Sequence, residues 1–210
     1  MTGWDEQRAR EAIARYGERL LEDGLTRHTG GNVSVRVDND RFAISPSGVP
    51  YPEVDPSAVP VVTTEGELVD GVNEPSSETP MHATVYRERP DAGGIVHTHS
   101  PFASAYATAG RPIEPAYYLV ALVGDRVPVS AYEMPGSWEL GERAVAALED
   151  RNGVLLRNHG VLTVGSTIED AYEVAVQLEH VAEVTYRAEH LGGPEILSAD
   201  DVRDLVEYFD

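Results

Sequence analysis

Three histidines in this sequence have the neighbours and the spacing expected of a metal site. His97 and His99 lie one residue apart at the end of the apolar run "GGIVHTH", so on a strand both imidazoles point to one face. His159 also follows an apolar run, in "LLRNHG". Because the chain has no cysteine, three imidazoles are the expected ligands of a zinc-type site, with a fourth position left for substrate. The simpler interpretation is a chance pair of histidines at a polar strand end.

An acidic residue upstream of the histidine pair is a candidate acid–base group. The segment "SSETPMHATVYRER" (76–89) has the pattern of a helix with Ser76 or Ser77 as its N-cap. Glu78 then lies in the first turn, where the helix dipole stabilises an ionised carboxylate. The alternative is that Glu78 is only a capping acid. His82 lies four residues further along the chain on the same helix face. We expect it to have a structural role or to support the residues of the site.

Three short segments rich in glycine, serine and asparagine could bind an anion. The residues concerned are Gly31 and Asn32 in "GGNVS", Ser47 and Gly48 in "SPSG", and Ser76 and Ser77 in "SSETP". Free backbone N–H groups and hydroxyls at such positions can bind a phosphate without a lysine. Each segment taken alone also fits a plain turn.

The charge balance excludes several classes of chemistry. The chain has 36 acidic and 16 basic residues, a formal net charge of −20, which disfavours binding to a nucleic-acid backbone. All the basic residues are arginines, so Schiff-base chemistry on a lysine is excluded. The absence of cysteine excludes thiolate nucleophiles and disulfides. An acidic surface without lysine suits a salt-rich, halophilic cytoplasm.

The hydrophobic pattern predicts an α/β fold. Helices are predicted at 5–23, 76–89, 101–110, 137–149, 167–191 and 199–209. Strands are predicted in a hairpin around 38–40, in "PVVTT", in "GGIVHTH", in "DRVPVSAY" and twice in "GVLLRNHGVLTVG", where His159 and Gly160 form the turn. Strands that cluster in adjacent pairs with helices between the clusters indicate a largely antiparallel central sheet with helices packed on it.

The chain is expected to be one cytoplasmic domain spanning 1–210. Its length suits a single core. No apolar run approaches the roughly 18 residues of a membrane span, so no membrane partner is expected. The first residues, "MTGWDEQRAR", lack the apolar stretch of a signal peptide.

In their order and spacing, these segments resemble the class II aldolase/adducin family. The resemblance covers roughly residues 5–190 and is seen in "TGGNVSVR", "SPSGVPY", "PSSETPMHATVYRERPDAGGIVHTHS" and "LLRNHGVLTVG". It implies a three-layer α/β/α sandwich on a mostly antiparallel sheet. It also implies a homotetramer with its active sites between subunits.

The resemblance assigns roles to the candidate residues. It implies one divalent metal ion per subunit, first of all Zn²⁺ with Mn²⁺, Fe²⁺ or Co²⁺ as alternatives, held by His97, His99 and His159. It implies that Glu78 is the general acid/base and that the three glycine, serine and asparagine segments bind the substrate phosphate. Tyr118 is implied to reach into a neighbouring subunit's site and to donate a proton.

The activity implied is that of a metal-dependent aldolase. Such an enzyme cleaves a ketose 1-phosphate, for example L-fuculose 1-phosphate, to dihydroxyacetone phosphate and an aldehyde through a metal-stabilised enediolate. The family also includes 4-epimerases acting on pentulose 5-phosphates, dehydratases and decarboxylases. Related 4-epimerases carry Asp at the position of Glu78, so this chain's Glu favours the aldolase.

Two further points qualify the resemblance. A non-catalytic adducin-like module is the third interpretation, and the intact histidines argue against it because a scaffold needs none of them. Aldolases of the family have a tail with a tyrosine beyond the last helix. This chain ends "LVEYFD", which places Tyr208 too early to be a clear counterpart.

Overall fold

The computed structural model describes residues 5–209, so residues 1–4 and 210 of the predicted single domain, including the start of "MTGWDEQRAR", lie outside the described residues. The described part has six α-helices: α1 (Glu6–Glu22), α2 (Thr79–Glu88), α3 (Pro101–Ala109), α4 (Trp138–Leu148), α5 (Ile168–Glu189) and α6 (Ala199–Phe209). Its strands are β1 (Asn32–Arg36), β2 (Arg41–Ile44), β3 (Val61–Thr63), β4 (Leu68–Asp70), β5 (Gly94–Thr98), β6 (Gly153–Leu156) and β7 (Gly160–Gly165). Short 3₁₀ helices span Tyr51–Glu53, Pro56–Ala58 and Tyr118–Leu122.

All seven strands form one sheet in the order β4-β3-β2-β1-β5-β7-β6. Every neighbouring pair of these strands is antiparallel. The register on β5 sets Asn32 of β1 on one side of His97 and Leu162 of β7 on the other. The predicted α/β class with an antiparallel central sheet is therefore confirmed, and β5 is an interior strand between β1 and β7.

Helices cover both faces of the sheet and make three layers. Alternate strand residues divide between the faces, as the pleat requires. Val33, Val35 and Val96 pack with α1 and α5 on one face. Ile95 packs with α2 and α4 on the other face. His97 follows Ile95 by two residues and so points to the side of the sheet on which α2 lies.

Two helix boundaries agree with the signals in the sequence. Thr167 and Asp170 form a capping box at the start of α5, in which each side chain accepts a hydrogen bond from the other residue's backbone N–H. Gly110 ends α3 in the left-handed conformation, with φ of 64°.

Three local predictions are corrected by the structure. The segment "DRVPVSAY" is not a strand and makes only isolated bridges, from Val127 to Ile113 and from Val129 to Leu155. Pro128 has no N–H to donate, so a continuous ladder cannot form there. Strand β4 was not predicted, since the pattern indicated only a turn before it.

The third correction concerns α2, which begins at Thr79 rather than at Ser76. Glu78 occupies the N-cap position instead of the first turn, and no side chain caps the helix. Ser76 closes the preceding turn, because its carbonyl accepts hydrogen bonds from both the N–H and the hydroxyl of Thr79.

Across residues 5–209, none of the helices combines the length and the apolar character that crossing a bilayer requires.

Candidate active site

The three histidines converge at one end of the central strands. His97 lies on β5, His99 follows the end of that strand, and His159 lies in the turn between β6 and β7. Because β7 pairs with β5, the turn before β7 lies beside His97 and His99, although His159 follows His99 by 60 residues in the sequence. The Nε2 atoms of His97 and His99 are 3.0 Å apart. One ligand nitrogen from each histidine lies within 4.8 Å of the other two.

Glu78 brings a carboxylate to the same point. Its Oε2 lies 2.9 Å from Nε2 of His97, and its Oε1 lies 3.3 Å from Nε2 of His159. The Glu78 side chain is 9% exposed. Glu78 immediately precedes α2 at its N-cap position, and from there its carboxylate reaches the histidines carried by the sheet.

These four side chains fit a divalent cation. Nδ1 of His97 lies 2.7 Å from the carbonyl oxygen of Val161 and must donate to it, so the Nε2 of a neutral ring carries a lone pair. That lone pair faces the carboxylate of Glu78 at 2.9 Å, a contact that is repulsive unless a proton or a metal cation lies between the two atoms. Oε1 of Glu78 is buried without a hydrogen-bond partner in the described chain. Three nitrogen donors beside a carboxylate are the ligand set that Zn²⁺ and related metals accept.

The pKa values of these four groups are shifted by burial and by the short distances between the groups. Burial, reinforced by the charge of His97, lowers the pKa of His99 and of His159 to about 4 each, although Glu78 opposes the shift. Burial alone would lower the pKa of His97, but the Glu78 carboxylate raises it above the ordinary value. Burial opposes ionisation of Glu78, yet His97, His159 and Asn32 hold the pKa of Glu78 well below its usual range. Glu78 is therefore ionised at neutral pH.

The three segments predicted to bind phosphate are joined by backbone hydrogen bonds. The N–H of Ser47 donates to the carbonyl of Glu74 at 2.8 Å, and the N–H of Ser76 donates to the carbonyl of Ser45 at 3.0 Å. Ser45 is linked in turn to β1, since its N–H donates to the carbonyl of Val33 at 2.9 Å. Loops that are distant in the sequence thus meet beside Glu78.

Their side chains do not all face the same way. Ser47, Gly48 and Ser77 are exposed, whereas Ser76 and Asn32 are buried. The hydroxyl of Ser76 accepts a hydrogen bond from the N–H of Glu78 at 3.2 Å. The amide nitrogen of Asn32 donates to Oε2 of Glu78, also at 3.2 Å. The two buried residues of the set therefore contact the acid–base candidate directly.

Gly31 requires both its conformation and its lack of a side chain. Its φ is +66°, in the left-handed region, and a Cβ there would lie 2.6 Å from the carbonyl oxygen of His97. The glycine turn before β1 therefore packs against the backbone of the strand that carries the histidine pair.

Tyr118 lies at the surface beside two other aromatic residues. It begins the third 3₁₀ helix and is 46% exposed. Its ring contacts Tyr117 at 5.0 Å between centroids and stacks on Phe209 of α6 at 6.3 Å. Tyr208 is 80% exposed on the same helix. The predicted role of Tyr118 in a neighbouring subunit's site stays a prediction.

One residue behind the site was missed by the reasoning from sequence. Glu179 of α5 accepts hydrogen bonds from the backbone N–H groups of Phe102 and Ala103 at 2.8 and 2.9 Å. Its carboxylate caps the start of α3 directly after His99, although burial raises its pKa. No local pattern indicates such a contact, because the partners are 76 and 77 residues apart.

Proteins similar to this chain in sequence and fold include several sugar-phosphate aldolases. A 5-deoxy-D-ribulose 1-phosphate aldolase from Bacillus thuringiensis serovar kurstaki is 38% identical over 205 residues, which are 97% of this chain and 96% of the relative. A 5-methylthioribulose-1-phosphate/5-deoxyribulose-1-phosphate aldolase from Rhodospirillum rubrum is 40% identical, over 89% of this chain and 84% of the relative. A solved structure of L-fuculose 1-phosphate aldolase superposes with a TM-score of 0.93 at 33% identity, covering 96% of each chain.

Residues 11–186 match the family described as class II aldolase and adducin N-terminal domain. The match includes all three histidines and Glu78, and it agrees with the resemblance seen in the sequence. The chain belongs to the class II aldolase and adducin family.

Proposed function

We propose that this protein is a metal-dependent aldolase that cleaves a ketose 1-phosphate to dihydroxyacetone phosphate and an aldehyde. The observation that carries the proposal is the convergence of His97, His99 and His159 on the ionised carboxylate of Glu78. A structural module of the same family would need neither the three clustered imidazoles nor the buried acid.

We assign His97, His99 and His159 as the ligands of one divalent metal ion, with Zn²⁺ first. When bound there, such an ion supplies the positive charge that stabilises negative charge on substrate oxygens during carbon–carbon cleavage. The Val161 carbonyl holds His97 in the tautomer that leaves its Nε2 free for this purpose.

Glu78 moves the proton at C3 of the substrate. In the direction of synthesis the carboxylate takes this proton from dihydroxyacetone phosphate, and in the direction of cleavage it returns the proton to C3. Oε1 is free of hydrogen bonds in the described chain, which suits it to that transfer. Cleavage breaks the C3–C4 bond: the C4 hydroxyl gives its proton to Tyr118 of a second copy of the chain, and the electron pair of the bond goes to C3. C3 then receives a proton that Glu78 has taken up from solvent. This assignment requires the homotetramer with sites between subunits.

We assign the substrate phosphate to the joined loops of Ser47, Gly48, Ser76 and Ser77, together with the turn at Gly31 and Asn32. The exposed hydroxyls of Ser47 and Ser77 and the backbone N–H groups of Gly48 and Ser77 are available to an anion, whereas the N–H of Ser47 is bonded to Glu74. A protein of formal charge −20 without lysine needs such local dipoles to attract a phosphate.

The relatives indicate which substrates to test first. They are named for 5-deoxyribulose 1-phosphate and L-fuculose phosphate, which share the dihydroxyacetone phosphate half and differ in the aldehyde. Because sugar phosphates are charged and do not cross membranes unaided, we place the enzyme in the cytoplasm.

The test is product analysis on metal-loaded protein. Incubation with each of the two ketose 1-phosphates should release dihydroxyacetone phosphate, detected by its enzymatic reduction with NADH, and a chelator should abolish the release. Interconversion of pentulose 5-phosphates without any cleavage would contradict the aldolase and identify a 4-epimerase instead.

A further inference from the structure

A row of buried polar side chains lies behind Glu78, between β1 and α2. The hydroxyl of Tyr86 lies 2.9 Å from Oγ of Ser34, which lies 2.7 Å from Nδ1 of His82. Nε2 of His82 lies 2.6 Å from Oδ1 of Asn32. The amide nitrogen of Asn32 completes the row at 3.2 Å from Oε2 of Glu78. All five residues are buried, and His82 and Ser34 are 0% exposed.

The direction of every hydrogen bond in this row is fixed by its last member. An ionised carboxylate only accepts, so Asn32 must present its NH₂ group to Glu78 and its carbonyl oxygen to His82. His82 must then donate from Nε2. Burial lowers the pKa of His82 to about 3, so the ring is neutral and its Nδ1 accepts from Ser34. Ser34 has one proton to give, so Tyr86 donates to Ser34.

We propose that His82 is a positioning residue for the reaction: through Asn32 it holds Oε2 of Glu78 in place and leaves Oε1 to exchange the proton at C3. This inference rests on the proposed function of Glu78. The His82 ring makes its two side-chain hydrogen bonds to Asn32 and Ser34, and it acts on the carboxylate only through the Asn32 amide.

The row also changes the role expected of Asn32. One of its two amide N–H groups is used by Glu78 and its carbonyl oxygen is used by His82. If the main task of the Asn32 side chain were to bind phosphate, loss of His82 would raise KM. If its task is to orient Glu78, loss of His82 lowers kcat and leaves KM nearly unchanged.

Two substitutions at His82 distinguish the effect of its hydrogen bond to Asn32 from the effect of its side-chain volume. His82→Gln places an amide N–H close to the position of Nε2 and can still donate to Asn32, whereas His82→Leu cannot donate. We expect His82→Leu to lower kcat by about 10- to 100-fold, as for other residues that orient a reacting group, and His82→Gln to recover most of it. Thr84→Ala is the matched control, because Thr84 is buried on the same helix but hydrogen-bonds to Pro80 and Arg87, outside this row. It should keep both kinetic constants.

A second readout does not depend on activity. In protein labelled with ¹⁵N-histidine, the resonances of His82 are identified by their loss in His82→Gln. They should show a protonated Nε2 and an unprotonated Nδ1 at neutral pH. Ser34→Ala removes only the donor to Nδ1, so Nε2, which still donates to the carbonyl oxygen of Asn32, should stay protonated.

The kinetic constants and the ¹⁵N resonances test the role of His82 separately from the proposed aldolase activity. An Nδ1–H tautomer or a charged ring in the wild-type protein overturns the inference, whether or not the protein is an aldolase. A raised KM with unchanged kcat in His82→Leu also overturns it. Wild-type protein that releases no dihydroxyacetone phosphate contradicts the proposed function and the catalytic part of this inference, while the expected tautomer in the same sample would still support the orientation of Asn32 by His82.

Discussion

Nε2 of His97 lies 3.0 Å from Nε2 of His99, and Oε2 of Glu78 lies 2.9 Å from the same His97 atom. One nitrogen is thus shared between a second imidazole and a carboxylate. Because Nδ1 of His97 donates to a backbone carbonyl, the shared nitrogen can satisfy both neighbours only through a proton or a metal cation.

Replacing His97 should abolish metal binding. His97→Ala removes the central ligand, so metal content measured after dialysis should fall from about one ion per chain to near zero, together with activity. His190→Ala is the control, since His190 is exposed at the end of α5. Full metal content in His97→Ala would mean that the ion is bound elsewhere.

Replacing Glu78 should separate metal binding from turnover. Glu78→Gln keeps the shape and a hydrogen-bond acceptor but cannot move a proton. Metal content should stay near the wild-type level while kcat falls by about 10²- to 10⁴-fold. Turnover at the wild-type rate would remove Glu78 from the mechanism.

Removing the Glu179 carboxylate should destabilise the start of α3, the helix that follows His99. Glu179→Gln leaves one acceptor for the two N–H groups of Phe102 and Ala103 and should cost about 1 kcal/mol in the free energy of unfolding. Glu183→Gln, one turn further along α5, breaks only an exposed ion pair with Arg187 and should cost less. Urea denaturation of both variants measures the difference, and equal losses would contradict the capping role.

The buried neutral His82 should make the metal-free protein less stable in mild acid. Its pKa is about 3 in the folded chain and roughly 6.5 when unfolded, so only the unfolded state takes up a proton between these values. Stability is complete above the unfolded pKa and falls as pH decreases below it. Lowering the pH from about 6.5 to about 5 should cost about 2 kcal/mol through this residue. His82→Gln should lack that part of the loss in urea titrations, and parallel pH dependences would contradict it.

Salt should stabilise the fold. The excess of 36 acidic over 16 basic residues produces repulsion that salt screens. The thermal midpoint should rise between about 0.05 M and about 2 M KCl by several degrees, provided that screening outweighs the weakening of surface ion pairs. A midpoint that stays constant would contradict the halophilic interpretation of the composition.

Much of the site could be predicted because its signals are local. The period-2 spacing of His97 and His99, the apolar strand before His159 and the lack of cysteine indicated one metal site. Helical spacing predicted the helices, and short apolar runs predicted the strands of the sheet other than β4. Pro128 shows the limit of such patterns, since an alternating run looks like a strand although its backbone cannot complete a ladder.

The residues that support the site could not be predicted in the same way. Asn32 was grouped with phosphate-binding turns, yet its side chain contacts Glu78 at a separation of 46 residues. Glu179 contacts the start of α3 from another helix. Such contacts depend on how elements pack in three dimensions, and a single sequence shows no pattern for them.

The strand order has a consequence for synthesis on the ribosome. Strand β7, which pairs with β5 and follows the His159 turn, is the last strand of the sheet in chain order, whereas its partner β5 comes two strands earlier in the chain. A nascent chain that has emerged only as far as β5 therefore exposes two ligands without the third. We expect stable metal capture to occur only after the final hairpin of the sheet has left the exit tunnel, so that loading of the ion marks a chain whose sheet is already complete.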